Sequence, residues 1–175
     1  MRSVAVAVDG IPRPRWAARL RRFCTVALRR AGYDAWDLSI LLCDDHRMRD
    51  LNSRYRGMDQ PTDVLSFGEA RVGHSPLRRQ ESPGTGAPPG SAGARPIRGD
   101  IAISLDTLRR NAAAYGVSDD EELKRLLVHG LLHLAGMDHG RGKGRGMLAR
   151  QERLLSELRA DRVMEPRADR KDARA

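Results

Sequence analysis

Val4, Val6 and Val8 alternate with smaller residues across residues 3–8, the period of two that buries one face of a strand. Pro12 and Pro14 interrupt that pattern, and a period near 3.6 takes over. Trp16, Leu20, Phe23, Ala27 and Ala31 form one stripe of a helix over residues 15–31. Leu38, Ile40, Leu41 and Leu42 give a nearly continuous apolar run over 37–43, as in a strand buried on both faces. Asp44 or Asp45 then caps a helix reaching about Arg56, and Gly57 and Pro61 end it. Residues 64–67 predict a short strand, and residues 100–104, with Ile101 and Ile103, another. A helix over 105–115 closes at Gly116. Ser118-Asp119-Asp120-Glu121 has the spacing of a capping box, and the helix behind it runs to about Ala135. Apolar residues surround that helix, which predicts the central buried element. A last amphipathic helix spans 148–159, with Leu148, Leu154, Leu155 and Leu158 as its stripe.

Between residues 70 and 96 the pattern disappears. Gly, Pro, Ser and Ala dominate, with too little apolar surface to offset the entropy of ordering, so a disordered insertion is expected there. The strands and helices around it predict one domain over residues 1–160, followed by a flexible charged tail at 161–175.

Composition refines this picture only in part. Of the 175 residues 40% are hydrophobic but 4% aromatic, so the core must be mostly aliphatic. Net charge is +9, from 32 basic against 23 acidic residues, a balance that suits a polyanionic partner as well as plain solubility. Nearly all of the positive charge is arginine, and Arg15, Arg19, Arg22, Arg29 and Arg30 crowd the first helix with no acid between Gly10 and Asp34. That helix face either meets phosphates or is simply solvated. Cys24 and Cys43 sit in apolar runs and read as buried thiols of a reducing compartment, although one disulfide is also possible. No apolar run has membrane-spanning length and the first residues lack the features of a signal peptide, so a cytoplasmic protein is expected.

The most specific chemistry lies between residues 129 and 139. His129 and His133 are four apart on a helix, which puts both imidazoles on one face. Gly136 can take left-handed geometry at the helix end and turn the chain so that His139 approaches the same point. The pattern His-x3-His-x2-Gly-x2-His is the spacing by which metzincins hold zinc through three histidines, leaving a fourth position open for chemistry. A single histidine on an apolar face is usually a core residue, but three at ligand spacing within eleven residues predict a zincin-like helix-turn holding one Zn2+ through His129, His133 and His139. Nickel, copper or iron would suit the same nitrogens. One position departs from the proteases: the residue after the first histidine is Gly130 rather than glutamate, so no general base stands there. Asp138 is the nearest carboxylate, and it either orients a ligand histidine or caps the turn.

These residues, read as His129-Gly130-Leu131-Leu132-His133-Leu134-Ala135-Gly136-Met137-Asp138-His139, resemble the signature of the YbeY family of rRNA maturation factors. Leu51-Asn52-Ser53-Arg54-Tyr55-Arg56, Pro61-Thr62-Asp63-Val64-Leu65-Ser66-Phe67 and Gly99-Asp100-Ile101-Ala102-Ile103-Ser104 resemble further family elements in the family's order, over about residues 35–160. The resemblance implies an α+β domain, a small mixed β-sheet flanked by helices, and a zinc-dependent, single-strand-specific endoribonuclease acting on precursor rRNA at the 3′ end of the small-subunit rRNA, with a part in ribosome quality control. It implies the ribosome as partner, and ribosomal proteins or a ribosome-assembly GTPase with it. His129 and His133 would be catalytic as well as ligating. Arg56 matches a family arginine of the active-site cleft, where its guanidinium would offer phosphate a bidentate fork; the same residue also suits the dipole at a helix C-terminus. Met137 stands where relatives carry an aromatic, and the basic, glycine-rich residues 140–146 where they are often acidic. The rival readings are a metal hydrolase acting on a small amide or ester, and a non-catalytic ribosome-binding protein with structural zinc.

Overall fold

The computed structural model describes residues 2–68, 96–137 and 144–165. Four strands, β1 (Arg2–Asp9), β2 (Trp36–Cys43), β3 (Val64–Gly68) and β4 (Ile97–Ser104), form one sheet in the order β1-β2-β4-β3. β1, β2 and β4 run parallel and β3 lies antiparallel on β4, so the sheet is mixed, as expected. Among the described residues five helices surround it: α1 (Ala17–Arg30), α2 (Asp45–Arg56), α3 (Leu105–Tyr115), α4 (Asp119–Leu134) and α5 (Gly144–Glu157). This is the α+β domain that the family resemblance implies. The expected insertion at 70–96 lies outside the described residues except for Pro96.

Alternation along the strands sorts the core onto two faces. Leu38, Ile40, Leu42, Ile101 and Ile103 face α1, α4 and α5 in the larger cluster. Leu41, Cys43, Ala102, Leu65 and Phe67 face the other way and are covered by Met48 and Leu51 of α2. The two cysteines therefore lie in different clusters; both are free, which settles the disulfide question. Burial pushes each thiol up to about 12.

Helix starts follow local chemistry. The Asp44 carboxylate accepts from the Arg47 amide at 2.8 Å, and the Ser104 hydroxyl from the Thr107 amide at 3.2 Å. The capping box of α4 is present, with Glu121 N–H donating to Ser118 Oγ and Ser118 N–H to Glu121 Oε2. β4 begins three residues before the expected strand, because pairing of Trp36 with Ile97 continues the ladder through Arg98 and Gly99, which carry no apolar signal. α5 begins four residues early. Its buried stripe is Met147, Gln151, Leu154 and Leu158, while Leu148 is exposed at 47%. The expected stripe took Leu148 as inward because Gln151 gave no apolar cue.

The chain stays packed beyond the expected start of the tail at 161. Val163 and Met164 are buried, and both of their amides donate to Asp120 Oδ1 at 2.8 and 2.7 Å. Residues 166–175 lie outside the described residues. Two of the α1 arginines reach the C-terminal part of the fold: Arg19 donates to the Val163 carbonyl and to Glu165, and Arg30 to the Glu157 carbonyl at the end of α5. Among the described residues no helix is long and apolar enough to cross a membrane.

Candidate metal centre

The last turns of α4 carry the two histidines of the predicted site, both half-buried. Their Nε2 atoms lie 3.1 Å apart, with ring centroids 4.6 Å apart and planes at 74°. Two nitrogens bound tetrahedrally to one zinc at about 2.0–2.1 Å stand roughly 3.3 Å apart, so the observed pair fits a shared ion after a shift of a few tenths of an ångström. The opposite nitrogen of His129, Nδ1, lies 3.0 Å from Oε1 of Gln151 on α5. Gln151 is buried, and its amide oxygen stands within hydrogen-bond distance of that ring nitrogen.

After His133 the helix ends as expected. Gly136 has φ +79°, and the amides of Met137 and Gly136 donate to the carbonyls of Leu132 and His133 at 3.0 and 2.9 Å. That is a Schellman closure, which turns the chain immediately beyond the second histidine. Asp138 and His139, the expected third ligand, lie outside the described residues, as do residues 140–143 of the basic stretch. Among the described residues no group of three or more His, Cys, Asp or Glu side chains is gathered as for a metal. Two of the three predicted ligands are thus brought together.

Gly130 explains the missing glutamate. It is buried against the sheet, where an added Cβ would stand 2.9 Å from Ile101 Cδ1 and 3.1 Å from Ser66 Oγ. With no side chain projecting there, the helix rests closely on β3 and β4. Gly99 does the same for Leu134: a Cβ at Gly99 would meet the Phe67 carbonyl oxygen at 2.5 Å and Leu134 Cδ2 at 2.7 Å.

Arg56 closes α2 and is exposed. It is on the helix packed against the other face of the sheet from α4, yet the two sites flank the same edge strand. Its neighbour Tyr55 rests edge-on against Phe67, with centroids 5.2 Å apart, and Gly130, next to His129, meets Ser66. Other residues of the same motif hold this edge in place. Asn52 donates to the Gln60 carbonyl at 2.7 Å. Asp63 accepts from the Val64 amide at 2.8 Å and from Asn111 at 3.2 Å, with Arg125 3.8 Å away. Gln151 is the residue beside the histidine pair that sequence reasoning missed; its signal was a polar residue at a core position of the α5 stripe.

Fold and site together define a class: small α+β domains in which a buried helix presents paired imidazoles beside a short antiparallel edge strand. The sequence model described as endoribonuclease YbeY matches residues 7–159. Proteins named endoribonuclease YbeY from Treponema pallidum and Roseiflexus castenholzii are similar to this chain, the first 40% identical over 88% of each chain, the second 44% identical over 70% of each. One from Aquifex aeolicus is 38% identical over 71% of this chain and 70% of its own. A solution structure from Thermotoga maritima superposes with TM-score 0.58 over 97% of this chain and 99% of its own, at 21% identity, a likeness of fold. The chain belongs to the endoribonuclease YbeY family.

Proposed function

We propose that this protein is a zinc-dependent, single-strand-specific endoribonuclease that trims precursor rRNA, notably at the 3′ end of the small-subunit rRNA, and serves ribosome quality control. The observation that carries this reading is the 3.1 Å approach of His129 Nε2 to His133 Nε2 in a member of a family of endoribonucleases. The net charge of +9 supports a polyanionic substrate. The partners are the ribosome with its RNA, and with it ribosomal proteins or an assembly GTPase. Two deeply buried free thiols suit a cytoplasmic setting.

His129 and His133 would hold the metal with His139. When bound, zinc would supply Lewis acidity toward a phosphoryl oxygen. Arg56, across the edge strand, offers its guanidinium to the phosphate and offsets the charge that builds on it during cleavage. Gly130 can take no proton, so the proton of the attacking water or 2′-hydroxyl would pass to Asp138 or to a basic oxygen of the substrate.

The test is cleavage of a single-stranded precursor-rRNA 3′ segment and of its duplex, with end-group analysis. The reading predicts cleavage of the single strand alone, lost with chelator and restored by zinc. A 2′,3′-cyclic phosphate identifies the 2′-hydroxyl as nucleophile. Hydrolysis of small amides or esters with RNA untouched would overturn it.

A further inference from the structure

The α5 stripe contains one anomaly. Gln151 is 7% exposed and lies between Met147, Leu154 and Leu158, each buried. An amide at such a position loses its water and needs a compensating hydrogen bond, whereas leucine or methionine would pack there without that demand. The bond it makes is to His129 Nδ1, at 3.0 Å. The other nitrogen of the same ring faces His133 Nε2 at 3.1 Å. The ring is therefore gripped from behind by one helix while its front edge belongs to the site on another.

We propose that Gln151 is a positioning residue for the metal. It keeps His129 as the Nδ1–H tautomer, with its ring plane fixed and the Nε2 lone pair aimed at the point shared with His133. The inference rests on the metal-site reading above and adds a residue to it. Chemistry selects the orientation of the amide. Turned the other way, its N–H would face Nδ1, and the ring proton would move to Nε2, where it would block ligation. A neutral acceptor also leaves the imidazole a weaker donor than a carboxylate would, which keeps more Lewis acidity on a bound ion. The scaffold secures Gln151 in turn: the adjacent Arg150 donates to the Ala31 carbonyl at the end of α1, at 2.6 Å. That bond ties the residue next to Gln151 to the end of α1.

The experiment measures zinc affinity of the full-length chain by competition with a chromophoric chelator, for wild type, Q151M and Q151E. The ring-nitrogen shifts of His129 are read in 15N-labelled protein without zinc. Loss of an outer partner of this kind weakens metal binding by about 10–100-fold. Q151M should show that loss while its zinc-free denaturation midpoint changes little, and Q151E, which retains an acceptor, should bind at least as tightly as wild type. His129 should carry its proton on Nδ1 in wild type and lose that preference in Q151M. Equal zinc affinity for Q151M and wild type would overturn the inference and leave the metal site standing. A wild-type protein that takes up no zinc would overturn both. Should Q151M fail to fold, the wild-type tautomer decides: a proton on Nε2 of His129 contradicts the proposal.

Discussion

Gly130→Ala is the smallest perturbation of the contact on which the site is built. The new methyl would stand 2.9 Å from Ile101 Cδ1, 3.1 Å from Ser66 Oγ and 3.3 Å from Ile101 Cγ2. Replacing glycine by alanine inside a helix gains about 1 kcal/mol of intrinsic helix stability. Overpacking a filled core costs about 1–3 kcal/mol. The net is a loss of roughly 0–2 kcal/mol, the clash outweighing the propensity gain. The tightest contact is with the far end of Ile101, a fully buried side chain. Ile101→Val removes that atom and by itself costs about 1 kcal/mol. In the Gly130→Ala background the same deletion relieves the clash, so the double variant should be more stable than the sum of the single losses predicts, by about 1 kcal/mol. Urea denaturation of the four proteins measures the coupling. Additivity within about 0.5 kcal/mol would mean that the methyl does not meet Ile101, and would refute the explanation for glycine after the first histidine.

Arg56→Ala should lower the turnover of single-stranded RNA at least tenfold while leaving zinc affinity and denaturation midpoint unchanged, since the side chain is exposed; a change in zinc affinity would contradict its role as a phosphate contact. Replacing Arg141, Lys143 and Arg145 by alanine should flatten the salt dependence of RNA affinity, and an unchanged slope would show that the basic stretch makes no phosphate contacts. Burial raises the Asp45 carboxyl, but hydrogen bonds from Arg110, Ser104 and Thr107 outweigh it and hold the group below the ordinary carboxylate range. Its contribution to stability is therefore present above the unfolded-state value and disappears as pH falls through the folded one. Asp45→Ala should flatten the acid limb of a stability-against-pH curve, and an identical limb would refute this. Cys24 and Cys43, both pushed up to about 12, should react with an aromatic disulfide reagent at neutral pH only upon unfolding; fast labelling of the native protein would contradict their burial.

The strongly periodic parts of the fold were legible in advance. The valine alternation of β1, the buried run of β2 and the capping box of α4 are local signals, and the structure places the elements where those signals fall. The histidine pair was legible for the same reason, since helix geometry converts a spacing of four into one face. What was not legible depends on contacts distant in sequence. The early start of β4 comes from pairing with Trp36, and nothing in Arg98-Gly99 announces it. The packing of residues 161–165 rests on Asp120, more than forty positions earlier. Gln151 reaches His129 across 22 positions, and only the interruption of an apolar stripe marks it. The sequence also set Arg56 and the histidines in separate motifs; the shared edge strand that relates them belongs to the sheet order.

Zinc content and RNA cleavage, measured side by side on purified wild type and His133→Ala, bear most directly on the central claim. The account predicts one zinc per wild-type chain with cleavage of single-stranded precursor RNA, and a folded His133→Ala protein that neither retains the ion nor cuts. A His133→Ala protein that still cleaves, or one that unfolds because its zinc was structural, would contradict it.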